Sequence, residues 1–246
     1  MKLLIVSDLH YSLRQYDWLA RVAGNYDLVI IAGDLMELSS SVDSDTQAEV
    51  VAQYFGRIAS SAPLVVCSGN HDLVEDYTGH RSVEWLEEVS IPGVVSDCGV
   101  YESDKLRILA LPWWSGDEEK ARVENWLALQ AGTGEKKLTI WVHHVPPSGA
   151  RVSWTGKRDA GSETLAAWIN RFEPDLVFSG HVHNAPYYAP EGSWHDQVGG
   201  TLVINGGRQI GDQPVTVELE VDRGELRWCS LEGSETEMIP EFALQP

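Results

Sequence analysis

Five apolar runs in this 246-residue chain each stop at polar residues able to bind a metal ion. Asp8 and His10 close LLIVSDLH, Gly33-Asp34 closes DLVIIAGD, and Gly69-Asn70-His71-Asp72 ends PLVVCSGNHD. His143-His144 ends LTIWVHH, and Gly180-His181-Val182-His183 ends PDLVFSGHVH. Short runs rich in Val, Ile and Leu read as buried strands. Strands that finish in Asp, His or Asn at one sheet edge bring those side chains to one place, where open α/β sheets bind ligands. Two Asp, four His and one Asn supply the oxygen and imidazole donors that Mn, Fe or Zn take. The pattern points to an α/β fold built around a metal-dependent hydrolytic site, with enough donors for two ions.

The segments between the motifs alternate in type. Strands are expected at 2–7, 27–32 and 64–67, with helices at 14–24 and 45–60, a βαβαβ start that favours parallel strands. A short helix over 81–89 precedes strands at 94–96, 99–102 and 106–110, and a helix over 116–130 opens on acidic residues. Strand 138–142, helix 162–172 and strand 175–179 follow, and 201–205, 214–220 and 225–230 read as an antiparallel meander. The motifs spread from residue 8 to residue 183, so any cut would split the site. One domain over 1–246 is the expectation.

Charge narrows the partners. Eighteen Lys and Arg against 37 Asp and Glu give −19, which repels nucleic-acid phosphates and anionic membranes at long range. Bound cations reverse the sign locally, so a small phosphate-ester substrate is still accommodated. Cys67, Cys98 and Cys229 are odd in number and lack zinc-ligand spacing, which fits a reducing compartment. The first strand starts at Lys2, leaving no room for a signal-peptide core, and no apolar window is long enough to span a bilayer. A cytoplasmic location is expected.

Taken singly, the motifs are weak. Asp8 and His10, two residues apart, point the same way from an extended chain, but such a pair arises by chance, and Gly-Asp usually marks a turn. Taken together, DLH, GD, GNHD, HH and GHVH in this order resemble the calcineurin-like metallophosphoesterase superfamily. The resemblance implies a four-layer αββα sandwich of two mixed β-sheets. It also implies two divalent ions, with Mn²⁺ expected and Fe or Zn as alternatives. By the resemblance Asp8, His10, Asp34 and His183 hold one ion. Asp34, Asn70, His143 and His181 hold the other, with Asp34 bridging. His143 is preferred to His144 on the family pattern. His71 is the implied general acid, with Asp72 orienting it or starting a helix. Glu37 falls at an acidic position of the family's second block, as a support for the site. Asn205-Gly206-Gly207-Arg208 resembles a variant of the family's Asn-Pro-Gly-Ser turn, with Gly for Pro and Arg for Ser, a departure that leaves open its contact with substrate; Arg208 is a candidate to meet a phosphate.

The implied function is hydrolysis of a small phosphate diester or monoester, cyclic nucleotide or nucleotide-like, by a hydroxide held between the ions. The alternatives are a nuclease of the family's DNA-processing branch, a pyrophosphatase of nucleotide-sugar lipids, and a non-catalytic interaction scaffold. The acidic balance and the lack of a basic stripe weigh against the nuclease, and an intact His71 weighs against the scaffold. Trp113 and Trp114 read as packing residues, with substrate stacking as the alternative. Tyr11 is expected near the site, Arg151, Lys157 and Arg158 in a solvated loop, and His80 and His195 at the surface.

Overall fold

The computed structural model describes residues 1–75, 78–131 and 137–239. In chain order the first eight strands are β1 (Lys2–Val6), β2 (Leu28–Ala32), β3 (Leu64–Cys67), β4 (Val74–Glu75), β5 (Arg81–Ser82), β6 (Val94–Val95), β7 (Val100–Glu102) and β8 (Leu106–Ala110). Then come β9 (Leu138–Val142), β10 (Leu176–Ser179), β11 (His195–Val198), β12 (Thr201–Asn205), β13 (Thr216–Glu220), β14 (Glu225–Ser230) and β15 (Gly233–Met238). The α-helices are α1 (Leu13–Val22), α2 (Ser44–Ala59), α3 (Glu84–Glu87), α4 (Asp117–Gln130) and α5 (Glu163–Phe172). Asp43 caps α2 by accepting from Thr46 N, and Ser162 caps α5 by accepting from Leu165 N.

Two mixed sheets face one another. The first has the order β15-β14-β13-β1-β2-β3-β6 and the second β11-β12-β10-β9-β8-β7. Within them β1, β2, β3 and β6 are mutually parallel, as are β8, β9, β10 and β12. Strands buried on both faces need unbroken apolar runs, and every residue of LVIIA and LVVC is buried. Alternation divides their side chains between layers. Leu3, Ile5, Leu28 and Ile30 meet Ile108, Ile140, Val142 and Phe178 between the sheets. Leu4, Val6, Val29 and Ile31 pack against Tyr16, Leu19, Phe55 and Ile58 of α1 and α2. Trp141 and Val177 pack against Val123, Leu127, Leu165 and Trp168 of α4 and α5. This is the four-layer αββα sandwich.

Two expectations change. The helix expected over 81–89 is confined to Glu84–Glu87, because Arg81 and Ser82 are paired with Glu75 and Val74 in the β4–β5 hairpin. The expected meander is split between the sheets. Strand β12 lies parallel to β10, whereas β13 and β14 cross to the first sheet, where β13 pairs antiparallel with β1. Strands β11 and β15, both largely polar, extend the sheet edges beyond the expected strands.

Beneath the β3 turn, buried Asp97 accepts from Ser68 N at 2.9 Å through Oδ1, while its Oδ2 has no hydrogen-bond partner among the described residues. Burial pushes its carboxyl up to about 7 from an ordinary 3.8. Between those values the folded chain holds a proton that the unfolded chain has lost, so this group lowers stability as pH rises through the window. Asp97→Asn should therefore gain stability relative to the native chain as pH is raised from about 5 toward 7, by on the order of 1 kcal/mol for each pH unit. Urea midpoints of the two proteins across that range measure the effect.

Candidate metal centre

The parallel strands end at a common edge, and the chain beyond them stays registered. Asp8 N donates to Gly33 O at 3.0 Å, His10 N to Asp34 O at 2.9 Å and Tyr11 N to Leu35 O at 3.0 Å. Four of the polar residues here have left-handed backbone: Asp8 at φ +55°, His10 at +44°, Asp34 at +52° and His181 at +64°. A side chain in that region costs on the order of 1–2 kcal/mol. Such strain persists where the surroundings over-determine it, as at binding sites. Gly69 and Gly180 make room for the cluster: a Cβ at either would run into Asp34 or Asp8 respectively.

Asp8, His10, Asp34 and His183 each place a possible ligand atom within 4.8 Å of the others. His183 Nε2 lies 3.2 Å from Asp8 Oδ1, and His10 Nε2 lies 3.5 Å from Asp34 Oδ2. The two imidazole Nε2 atoms face each other at 3.2 Å with carboxylates alongside. Nitrogen lone pairs and carboxylate oxygens converging in this way form a donor set suited to a divalent cation. Next to it, His181 Nδ1 sits 2.9 Å from Asn70 Oδ1, and His181 N donates to Asp8 Oδ1 at 3.0 Å. Burial holds His10 down to about 4 despite the nearby Asp34 carboxylate. His181 is also held down to about 4, by burial and then by the charge of His144.

The two histidines after β9 separate by alternation. Val142 faces the inter-sheet core, so His143 points with Trp141 toward the helices and His144 returns toward the site. His143 lies flat on Trp114, with ring centroids 4.3 Å apart and planes within 5°, and its Nδ1 faces Leu111 O at 3.3 Å. His144 Nε2 is 3.1 Å from Asp34 Oδ2, and its Nδ1 is 2.9 Å from Ala32 O. Burial opposes its charge, yet Asp34 raises it to about 9, while His144 in turn holds Asp34 well below the carboxylate range. The expected ligand His143 is thus packed away from Asp34, and His144 takes the place beside it.

Asp72 also departs from expectation. It is fully buried, with Oδ1 accepting from Leu35 N at 2.7 Å and Met36 N at 2.9 Å, and Oδ2 accepting from Gly69 N at 2.7 Å. Its carboxyl group holds backbone, and the group that meets the His71 ring is Glu37. Glu37 Oε1 is 3.3 Å from His71 Nδ1, and Oε2 is 3.2 Å from His10 Nδ1. His10, Glu37 and His71 form a second group whose ligand atoms lie within 4.8 Å of one another. The acidic position of the second block is legible in the sequence, but its bridging of two histidines is not.

The remaining residues sort by position. Trp114 packs between His143 and Trp168, whereas Trp113 faces His181 and His144 at 6.4 and 6.5 Å between centroids. Tyr11 packs against the α1–α2 core layer. Arg151 is anchored to Pro190 O and Gly192 O, and His195 leans on Trp194. His80 is exposed.

Residues 1–185 match the calcineurin-like phosphoesterase family. Purple acid phosphatase 21 of Arabidopsis thaliana is 25% identical over 199 residues, a stretch that is 72% of this chain and 44% of that protein. The chain thus spans under half the length of this relative. Among solved structures, TT1561 of Thermus thermophilus superposes with a TM-score of 0.58 at 15% identity, covering 97% of this chain and 99% of that one. The purple acid phosphatase PPD1 of yellow lupin (Lupinus luteus) gives 0.59 at 17% identity, covering 99% of this chain and 55% of that one. At these identities the structural likeness is one of fold. The family match over three-quarters of the chain, together with the donor cluster at the strand ends, places this protein in the calcineurin-like phosphoesterase family of metal-dependent enzymes.

Proposed function

We propose that this protein hydrolyses a small phosphate ester at a two-metal site, with His71 protonating the leaving oxygen. The observation that carries the reading is the meeting of the donor cluster Asp8, His10, Asp34 and His183 with a part-exposed His71 held by Glu37. In this reading Asp8, His10, Asp34 and His183 hold one ion. Asp34, Asn70, His144 and His181 hold the other, with His144 in place of His143 because it is the one beside Asp34. Two such ions, Mn²⁺ for this donor set with Fe or Zn as alternatives, would when bound acidify a water and polarise phosphoryl oxygens.

The chain's own residues supply the rest. Glu37 engages Nδ1 of His71, which leaves Nε2 as the ring atom to face substrate. Asp34 Oδ1 accepts from His71 N at 2.9 Å, which fixes His71 relative to the Asp34 carboxylate. Trp113 offers an indole wall on the His144–His181 side, suited to a base or aryl group and hence to a cyclic nucleotide or nucleotide-like ester. The name of the Arabidopsis relative supports the monoester side of the same reaction class. The net charge of −19 disfavours nucleic acid as a substrate. The core shared between the sheets and a site drawn from both support one domain over 1–246. Among the described residues no helix is long and apolar enough to cross a membrane. All three cysteines are free, which supports a reducing compartment and with it the cytoplasmic reading.

The test is hydrolysis of bis-p-nitrophenyl phosphate and p-nitrophenyl phosphate after metal stripping and Mn²⁺ readdition. Activity restored by Mn²⁺ is the expected result, and two bound ions with turnover of neither ester would remove the reading. His71→Ala should keep its metal and lose turnover by about 100-fold or more on esters of poor leaving groups, least on nitrophenyl esters. Equal losses across leaving groups would contradict the acid role. His144→Ala should retain less Mn²⁺ after dialysis, measured by elemental analysis. His143→Ala should keep its metal but lose about 2 kcal/mol of stability with its packing on Trp114. The reverse pattern of metal loss would restore His143 as the ligand.

A further inference from the structure

The turn at Asn205–Arg208 lies on the path from β12 in one sheet to β13 in the other, and it is bonded there to His183 of the donor cluster. Its backbone is held on every side. Fully buried Asn205 donates from Nδ2 to Val152 O and Val182 O, both at 3.0 Å, and accepts from Gly207 N at 2.9 Å. Trp228 Nε1 donates to Gly206 O at 2.9 Å. Gly207 has φ +73°, and a Cβ there would come within 2.7 Å of His183 O. Arg208 N donates to that same His183 O at 3.0 Å. Beyond it, buried Gln15 donates to Gln209 O at 3.1 Å and Gly211 O at 3.2 Å. The loop is thus fixed along its length, and the point that fixes Arg208 is the backbone of a candidate metal ligand.

The Arg208 side chain, by contrast, has no ion pair among the described residues. Asp212, the nearest acid in its own loop, is taken by Arg14 at 3.2 Å. An unpaired guanidinium is notable in a chain with 37 acidic and 18 basic residues. The Arg208 backbone stands one hydrogen bond from His183, a member of the donor cluster Asp8, His10, Asp34 and His183. A guanidinium presents a planar fork of donors that fits two oxygens of a phosphoryl group, and it stays charged at any working pH.

Resting on the phosphoesterase reading, we propose that Arg208 binds the phosphoryl oxygen left over by the metal pair and so favours monoesters over diesters. A monoester at neutral pH carries a second anionic oxygen able to take the fork. A diester carries an alkoxy or aryloxy group there, which offers a weak acceptor and no charge. The pinned backbone fixes the point from which the Arg208 side chain extends, so only the side chain's own torsions remain to be ordered on binding.

The test compares native protein, Arg208→Ala and Arg208→Lys, each loaded with Mn²⁺, on p-nitrophenyl phosphate and bis-p-nitrophenyl phosphate. Calorimetric titration with inorganic phosphate runs alongside. Arg208→Ala should lower kcat/KM for the monoester about tenfold more than for the diester and weaken phosphate binding by a similar factor. Arg208→Lys should recover part of the phosphate affinity through its charge, but less of the monoester preference, because it lacks the fork. Equal losses on both esters with unchanged phosphate affinity would overturn the proposal and leave Arg208 a structural part of the turn. If native protein turned over neither ester, the phosphoesterase reading would fail, while the phosphate titration would still decide whether Arg208 binds the anion.

Discussion

The site depends on one buried carboxyl group that is not itself among the candidate metal ligands. Asp72 joins Leu35 N and Met36 N, just past β2, to Gly69 N, just past β3. A buried carboxyl is tolerated only when it is hydrogen-bonded, and these three donors meet that demand. The result is that two loops move as one body. Asp34 stands on one, Asn70 and His71 on the other, and the bond from His71 N to Asp34 Oδ1 closes the loop between them. Relative placement of Asp34, Asn70 and His71 is therefore set by backbone bonding rather than by the flexible torsions of three side chains.

On that frame, strain and charge work in the same direction. The left-handed residues Asp8, His10, Asp34 and His181 turn their side chains in from adjacent strand ends, where ordinary extended backbone would send alternate ones to opposite faces. What gathers is a set of groups that do not suit each other alone: close carboxylates, and imidazoles facing nitrogen to nitrogen. The sheets hold them there because Ile5, Ile30, Val142 and Phe178, a few residues back along the same strands, are locked in the inter-sheet core. Packing energy is thus converted into a preorganised set of donors.

Much of this is legible in the sequence, and the exceptions have physical causes. Strands β1, β2, β3, β9 and β10 are readable because burial on both faces demands unbroken apolar runs, and each run ends at its polar motif. The choice between His143 and His144 is not readable from adjacency alone. It follows from counting side-chain alternation onward from Val142, which needs knowledge of which face of β9 meets the other sheet. Asp72 invites pairing with His71 because they are neighbours in sequence, yet successive side chains point apart, and Glu37, 34 residues earlier, reaches the ring instead. Trp113 and Trp114 divide between site and core for the same reason. The last strands are recognisable as strands, but their membership of two different sheets is a long-range property that alternation does not encode. Strand β15, GSETEM, lacks an apolar pattern altogether.

The division of the C-terminal strands has a consequence for the modular use of this fold. The segment that matches the family stops at residue 185, but β1 lies between β2 and β13, and β10 lies between β9 and β12. Both β12 and β13 come after that boundary. Cut at the limit of the match, the chain would expose unpaired backbone along the two strands that carry Asp8 and His181 at their ends, and long apolar edges of that kind recruit other chains. The donor cluster at the strand ends therefore cannot be transplanted as a cassette ending where the likeness ends, because the last quarter of the chain is the selvedge that keeps the strands carrying it from fraying into fibres.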